Sequence, residues 1–467
     1  MNQGTGHAHT TFTQGDKVIT EAHRWLLGAA AVALSAGVIA ACGSSSNSAT
    51  KTTATSAAAG GGATTSATTS AAAGAGSGGA GSEAVTDYLK YTGGKAGPAD
   101  KSLPPVEIGW INQQGGQSAI GPLATAGAQS AIKYINAELG GVDGHPVALK
   151  TCFITNAEEE GKTCAQQLLA DKSVKVIDEG AVAIGIQPFY STVAGAKPVI
   201  VGVAVTPVDS VQKNAVIYFG DVTHVLGPFG TYAKQVLHAK TAALVYPNIA
   251  GITDGAAATY ASLKAAGVSV KKVAYDESQT DLIGPLTSAG ATSADMVIPY
   301  SDSSGCVNLA KGLKQLGITD AKKIVSAPLC LNGQVAAGLG GDFPIWTYAI
   351  ASSLFGDPTD PGMPPYMKVA SKYSTPADAP DPWNIVAFSQ ILTTVKFLNE
   401  LGYSKITPSA VLAKAKAFTG PIALGAPQLA CGKYTSAPAV CNDRAQFFEY
   451  HGKHAFVKVA PWLQPPS

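Results

Sequence analysis

The stretch Val106-Glu-Ile-Gly-Trp-Ile111 decides the fold, because the chain on both sides reads naturally once it is taken as a buried strand. It is rich in β-formers and follows Pro104-Pro105. A Gly/Gln/Ser loop from Asn112 to Gly121 comes next. Apolar side chains at Ala128, Ile132, Ile135 and Leu139 then recur at spacings of three and four, which is one face of a helix. Gly140-Gly141 closes that helix. Gly144 to Leu149 opens a second strand, Thr163 to Leu169 reads as a second helix, and Val174 to Ile177 as a third strand ended by Gly180. Alternating strands and helices predict an α/β fold with a parallel sheet covered on both faces.

Several of these residues resemble a known family. Ile108-Gly-Trp-Ile with its Gly-rich loop and Gly121-Pro is similar to the opening of the type I periplasmic solute-binding proteins. So are the run from Ala131 to His145, which contains Asn-Ala-Glu-Leu-Gly-Gly-Val-Asp-Gly, and Ala165-Gln-Gln-Leu-Leu169. Within that family the resemblance is to the substrate-binding subunits of branched-chain amino-acid ABC transporters, and it extends from about Val106 to Val459. It implies two Rossmann-like lobes with parallel sheets, joined by a three-strand hinge that closes on a ligand.

The strand and helix signals divide accordingly. Residues 104–223 with about 346–432 are expected to form lobe 1, and about 224–345 with 433–460 lobe 2. After Lys197 come strands at Pro198 to Val203 and Val216 to Phe219, and a helix from Gly227 to Leu237 that crosses to the second lobe. There the alternation restarts with strands at Thr241 to Tyr246, Val268 to Tyr275, Met296 to Pro299 and Ile324 to Ser326. The resemblance implies a recrossing near Pro344 to Ile350. A long helix then runs from Asp381 to Leu401, with Ile385, Phe388, Leu392, Val395 and Leu398 on one face.

The N-terminal residues carry an export signal. Trp25 to Ala41 is apolar without a charge and ends in Ile39-Ala-Ala-Cys42. This is similar to a bacterial lipobox, so residues 1–41 are expected to be a lipoprotein signal peptide and Cys42 a lipidated N-terminus on the outer face of the cell membrane. An ordinary anchor helix is the competing reading, and the run is short for one. Residues 42–84 are almost wholly Ser, Thr, Ala and Gly, a composition that buries too little to fold and suits a flexible tether.

Six cysteines remain, Cys152, Cys164, Cys306, Cys330, Cys431 and Cys441. An even number in an exported chain favours disulfides, and their order suggests pairing in sequence. No CxxC is present and the histidines are scattered, so no metal site is expected. A net charge of +1 with only 13% charged residues gives no basis for a nucleic-acid partner. Nucleophile elbows, phosphate loops and paired His/Glu motifs are absent, so neither catalysis nor a cofactor is expected.

Ligands of open parallel sheets lie outside the carboxyl ends of the strands. That nominates Gln113, Gln114 and Ser118 after the first strand, Ala181, Val182 and Ala183 after the third, and Val205 and Thr206 after the fourth. In the second lobe it nominates Asn248, Asp302, Ser303 and Leu329. Placed on the positions that hold a zwitterion in amino-acid-binding relatives, these residues depart from the pattern. The hydroxyl-rich turn is Ala181-Val-Ala-Ile-Gly185, the threonine position is Val205, and the tyrosine positions fall near Ala250 and at Asp302. The expectation is a small-molecule ligand less polar than a free amino acid, delivered to an ABC permease. A branched-chain amino acid and a sensor without a transporter stay open as alternatives. Each polar loop residue also has a plain reading as a solvated turn, and Asp302 as a helix N-cap.

Overall fold

A computed structural model describes residues 84–115, 121–249, 251–453 and 455–467. The expected signal peptide, Cys42, most of the expected tether and Ser118 lie outside the described residues. No described helix is long and apolar enough to cross a membrane.

Five strands form the first sheet: β1 (Val106–Gln113), β2 (Val147–Ile154), β3 (Ile177–Glu179), β4 (Val199–Val201) and β5 (Ala215–Ile217). All run parallel in the order β2-β1-β3-β4-β5. β1 therefore lies inside the sheet, and seven of its eight residues are buried. Continuous burial is what a strand covered on both faces requires. Helices Gly121–Glu138 and Pro382–Leu401 cover one face, and Glu158–Ala170 and Ile186–Val193 the other. The third strand sits further on than its valine run suggests, because Val174 and Val176 pack as core while pairing with β1 starts at Ile177.

The second sheet is assembled from β6 (Thr241–Pro247), β7 (Ser269–Tyr275) and β8 (Met296–Pro299), in the parallel order β7-β6-β8. It also contains β9 (Val325–Ser326), β10 (Thr347–Ile350), β11 (Ala445–Tyr450) and β12 (Phe456–Leu463), in the order β12-β11-β10-β9. A parallel bridge between Val297 and Ile324 joins the two groups. Together the sheets give the two-lobe α/β architecture expected from the sequence.

Two crossings fall later in the chain than anticipated. β10 pairs with β9 and β11, so the return to the first lobe comes after Ile350 rather than within 344–350. Residues 433–441 also stay with the first lobe: the Ile217 amide donates to Ala439 O at 2.8 Å and the Cys441 amide to Ile217 O at 3.0 Å. The last crossing is thus Asn442 to Arg444. A strand's composition marks it as a strand, but which sheet it joins depends on distant partners.

The cysteines pair as Cys152–Cys164, Cys306–Cys330 and Cys431–Cys441. The third bridge closes the segment that leads into the last crossing.

Helix Pro382–Leu401 is buried on nearly every side. Ile385, Phe388, Leu392, Val395 and Leu398 are fully buried, and so are Asn384, Ser389, Gln390, Thr393 and Thr394. The polar face is turned to the sheet: Gln390 Nε2 donates to Ile200 O at 2.7 Å and to Glu179 O at 3.0 Å. Thr394 Oγ1 donates to the Asp178 carboxylate at 2.9 Å. Gly127 permits close approach of the neighbouring helix, since a Cβ there would lie 2.2 Å from Asn384 O.

A short helix, Tyr88–Thr92, precedes the first strand and has no counterpart in the sequence reading. Asp87 caps it by accepting from the Lys90 amide at 3.0 Å, and Gly93 ends it in the left-handed region. Tyr88 is 3% exposed and meets the rings of Phe388 and Tyr134 edge-on at 5.9 and 6.2 Å. This segment belongs to the first-lobe core.

Candidate ligand site at the strand ends

The carboxyl ends of β1, β3 and β4 are knitted together by side-chain amides. Asn112, fully buried at the end of β1, donates to Gly121 O at 2.5 Å and Thr125 Oγ1 at 2.8 Å. Its Oδ1 accepts from the Ala181 amide at 2.9 Å. Gln113 Oε1 accepts from the amides of Ala183 at 2.9 Å and Ile184 at 3.2 Å. The turn Ala181 to Gly185 carries no hydroxyl, and it holds its shape through these two amide side chains. Gly180 is required here, because a Cβ would fall 2.7 Å from Asn112 Oδ1. Ala181 and Val182 are buried, and Ala183 presents its methyl outward. Gln114 is half-buried, with its backbone amide on Ile154 O at 3.0 Å.

Replacing Gln113 by Leu is expected to destabilise the fold by about 1–2 kcal/mol, because two loop amides lose their acceptor. Hydrogen exchange at Ala183 and Ile184 should accelerate relative to the β1 ladder. Unchanged exchange there would show that the loop is held by something else.

Thr206, half-buried after β4, caps the turn Pro207–Ser210 by accepting from the Val208 amide at 3.3 Å, and also bonds Asp209 Oδ2 at 3.3 Å. Val205 beside it is half-buried.

In the second lobe Asp302 is the N-cap of helix Ser303–Gln315. Its carboxylate accepts from the Gly305 amide at 3.0 Å, Ser301 Oγ at 3.0 Å and Ser304 Oγ at 2.8 Å. Of the two readings open for Asp302, the structure shows the cap. Ser303 Oγ accepts from Asn332 Nδ2 at 3.0 Å, and the same amide donates to Leu329 O at 2.8 Å. Asn332, which the sequence reading passed over, thus draws Ser303 and Leu329 together. The disulfide Cys306–Cys330 fastens the same loop to the helix. Leu329 is half-buried, and Asn248 is exposed with its amide on Tyr275 O at 2.8 Å. The predicted residues therefore form two clusters, one at the strand ends of each lobe.

The first crossing adds a charged group that was also missed. Asp221, 1% exposed, accepts from Ser210 Oγ at 2.5 Å and faces His224 Nδ1 at 2.9 Å. The imidazole packs at a tilt against Tyr434 with ring centroids 4.2 Å apart, which sets the first crossing against the segment that leads into the last one. Hydrogen bonds from its neighbours hold the Asp221 carboxyl below the usual carboxylate range against the opposing effect of burial. Tyr300, just past the end of β8, is pushed upward by burial and then by the Asp221 and Asp254 charges.

Within 112–115, 180–185, 202–206, 220–224, 248–249, 300–304 and 327–332 the only side chains that carry a charge near neutral pH are Asp221 and Asp302, with His224 able to gain one, and there is no lysine or arginine. Both acids are already bonded. No described cluster of His, Cys, Asp or Glu has the form of a metal site.

A family model of periplasmic binding proteins matches residues 105–436. The chain belongs to the periplasmic binding protein family. It is a binding protein rather than an enzyme, and the family's place is outside the cytoplasm. Solved structures share the fold at low identity. A fatty acid ABC transporter substrate-binding protein from Thermomonospora curvata is 14% identical over 80% of this chain and 95% of its own, with a TM-score of 0.60. The branched-chain amino acid transporter substrate-binding protein of Streptococcus pneumoniae, solved with isoleucine, is 18% identical over 76% of this chain and 100% of its own, with a TM-score of 0.59. A solute-binding protein from R. palustris, solved with 4-hydroxybenzoate, is 15% identical over 78% of this chain and 98% of its own, with a TM-score of 0.58. No protein of curated function matches the sequence.

Proposed function

We propose that this periplasmic binding protein closes its lobes around a weakly polar small molecule and delivers it to an ABC permease, while a lipid on Cys42 holds it at the membrane. The observation that carries the ligand class is the commitment of polar groups at the strand ends. Asn112, Gln113, Thr206, Asp302 and Ser303 all spend hydrogen bonds on the protein's own loops. No lysine or arginine is present to meet a carboxylate. Burying an unpartnered carboxylate or ammonium costs several kcal/mol, so a free zwitterion gains little here. Ala183, Val205 and Leu329 offer apolar contact instead, as most small-molecule sites do.

The relatives named above carry ligands from isoleucine to 4-hydroxybenzoate, so the family alone leaves the class open. A branched-chain amino acid is the alternative that the isoleucine-bound relative supplies, and a sensor without a transporter is another.

A thermal-shift panel on residues 84–467 separates the two ligand classes. A compound at about 100 times its dissociation constant stabilises by about 2.7 kcal/mol. Short amides, lactams and other neutral metabolites should shift the midpoint, and leucine or valine should not. A shift with leucine would replace the proposed class by the amino-acid reading. For the anchor, Cys42→Ala should move the protein from the membrane fraction to the soluble exported fraction.

A further inference from the structure

A polar cavity lies at the last crossing, well apart in sequence from the strand-end loops. It has a volume of about 400 Å³ and is lined by Thr419, Gln428, Lys433, Asp443, Arg444 and Gln464 together with apolar residues. It is built from three pieces of chain. Gln428 belongs to the first-lobe segment after the helical region, Arg444 closes the crossing just ahead of β11, and Gln464 follows β12.

The charges of this cavity do not cancel. Its single carboxylate, Asp443, is engaged by Lys433 Nζ and by the Tyr434 hydroxyl, both at 2.5 Å. Arg444 is half-buried, and among the described residues it has no carboxylate at ion-pair distance. Its guanidinium donates only to neutral oxygens. Nη2 reaches Gln428 Oε1 at 3.0 Å, and Nη1 reaches the Gln464 amide at 2.9 Å when that amide presents its oxygen. A guanidinium is a planar fork of donors suited to two oxygens on one centre, and a neutral amide satisfies it less well than an anion.

We infer that Arg444 is the core of a second ligand site, one that takes a small oxyanion such as a carboxylate or phosphate. Two oxygens of the anion accept from the fork in place of the amide oxygens of Gln428 and Gln464, whose NH2 groups rotate to donate to it. Lys433 on the cavity wall is already paired with Asp443, so the net positive charge of the site is that of Arg444. Because Gln428 and Gln464 come from different lobes, an anion held between them ties first-lobe and second-lobe chain together at the hinge. The site is independent of the ligand class proposed above.

The test uses the full chain and three titrations followed by thermal unfolding at matched ionic strength: inorganic phosphate, acetate and chloride. Phosphate or acetate should raise the midpoint saturably by a few degrees beyond chloride, and whichever acts identifies the source of the oxyanion. Arg444→Gln should weaken the response at least about tenfold. Gln428→Glu provides a well-folded control of opposite logic, since its carboxylate pairs with Arg444 internally. It should raise the midpoint without added anion and abolish the response to phosphate or acetate. A wild-type response no larger than that to chloride would overturn the assignment. So would a saturable response that survives in Gln428→Glu.

Discussion

Lowering the pH from about 8 to about 5.5 is expected to stabilise this protein by about 2 kcal/mol, the reverse of ordinary acid sensitivity. The cause is a carboxyl pair sealed beneath the first-lobe strand ends. Glu179 on β3 and Asp209 in the turn after β4 are both fully buried. They lie in hydrogen-bond contact, and the Tyr190 hydroxyl donates to Glu179 Oε2 at 3.2 Å. Neither Glu179 Oε1 nor Asp209 Oδ1 has another donor, so one proton held between them satisfies both. Burial raises Glu179 well above the usual carboxylate range, with the Asp209 charge adding to it. Burial likewise pushes Asp209 up to about 7.

The sign follows from proton counting. Between the unfolded pKa near 4 and the folded value near 7, the native state holds a proton that the unfolded chain has released. Stability is therefore greatest below that window and falls as pH rises through it. Each pH unit of that window is worth about 1.4 kcal/mol, so the span from the folded value near 7 down to 5.5 gives roughly 2 kcal/mol. The acids whose pKa is lowered, such as Asp171 and Asp295, lose their contribution only on the acid side of the ordinary carboxylate range, whereas burial also raises Asp178 well above that range, so its proton adds to the same slope. Urea unfolding at several pH values measures the slope. In Glu179→Gln the buried acid is replaced by an amide donor, so the slope should fall by at least half. A flat wild-type profile from pH 5.5 to 8 would rule out the shared proton.

The second large effect concerns the N-terminal segment. Tyr88→Ala is expected to cost about 3–5 kcal/mol, because a fully packed aromatic ring is removed from a site walled by Phe388 and Tyr134. Its hydroxyl bond to Gly362 O, at 3.5 Å, is long and contributes little beside the packing. A chain begun at Leu103 loses Tyr88, the Tyr91 bond to Thr393 at 2.9 Å and the bond from Asn399 to Thr92 O at 3.0 Å. It should unfold at markedly lower urea than one begun at Glu83 and expose the long helix to proteolysis. Equal midpoints for the two chains would mean that the segment merely rests on the core.

The alternation of strand and helix was legible because period and composition are local properties. Val106 to Gly180 alone conveyed the parallel sheet, and the cysteine order conveyed sequential bridges. The helix Tyr88–Thr92 was not legible, since five residues are too few to show a period and their burial depends on Phe388, some three hundred residues away. The long helix displayed its apolar face but hid the reason for its polar one. Gln390 and Thr394 are buried only because β3 and β4 offer carbonyls and a carboxylate to receive them.

The candidate site divides in the same way. The sequence determined which loops stand at strand ends, that they lack cations, and that the turn after β3 lacks hydroxyls. Only the tertiary structure decided how the remaining polar groups are used: Asn112 and Gln113 pin a loop some seventy residues on, Asp302 caps its own helix, and Asn332 ties Ser303 to Leu329. Residue type sets what a side chain can donate or accept. Whether that capacity is left for a ligand depends on which backbone groups the fold brings within about 3 Å of it.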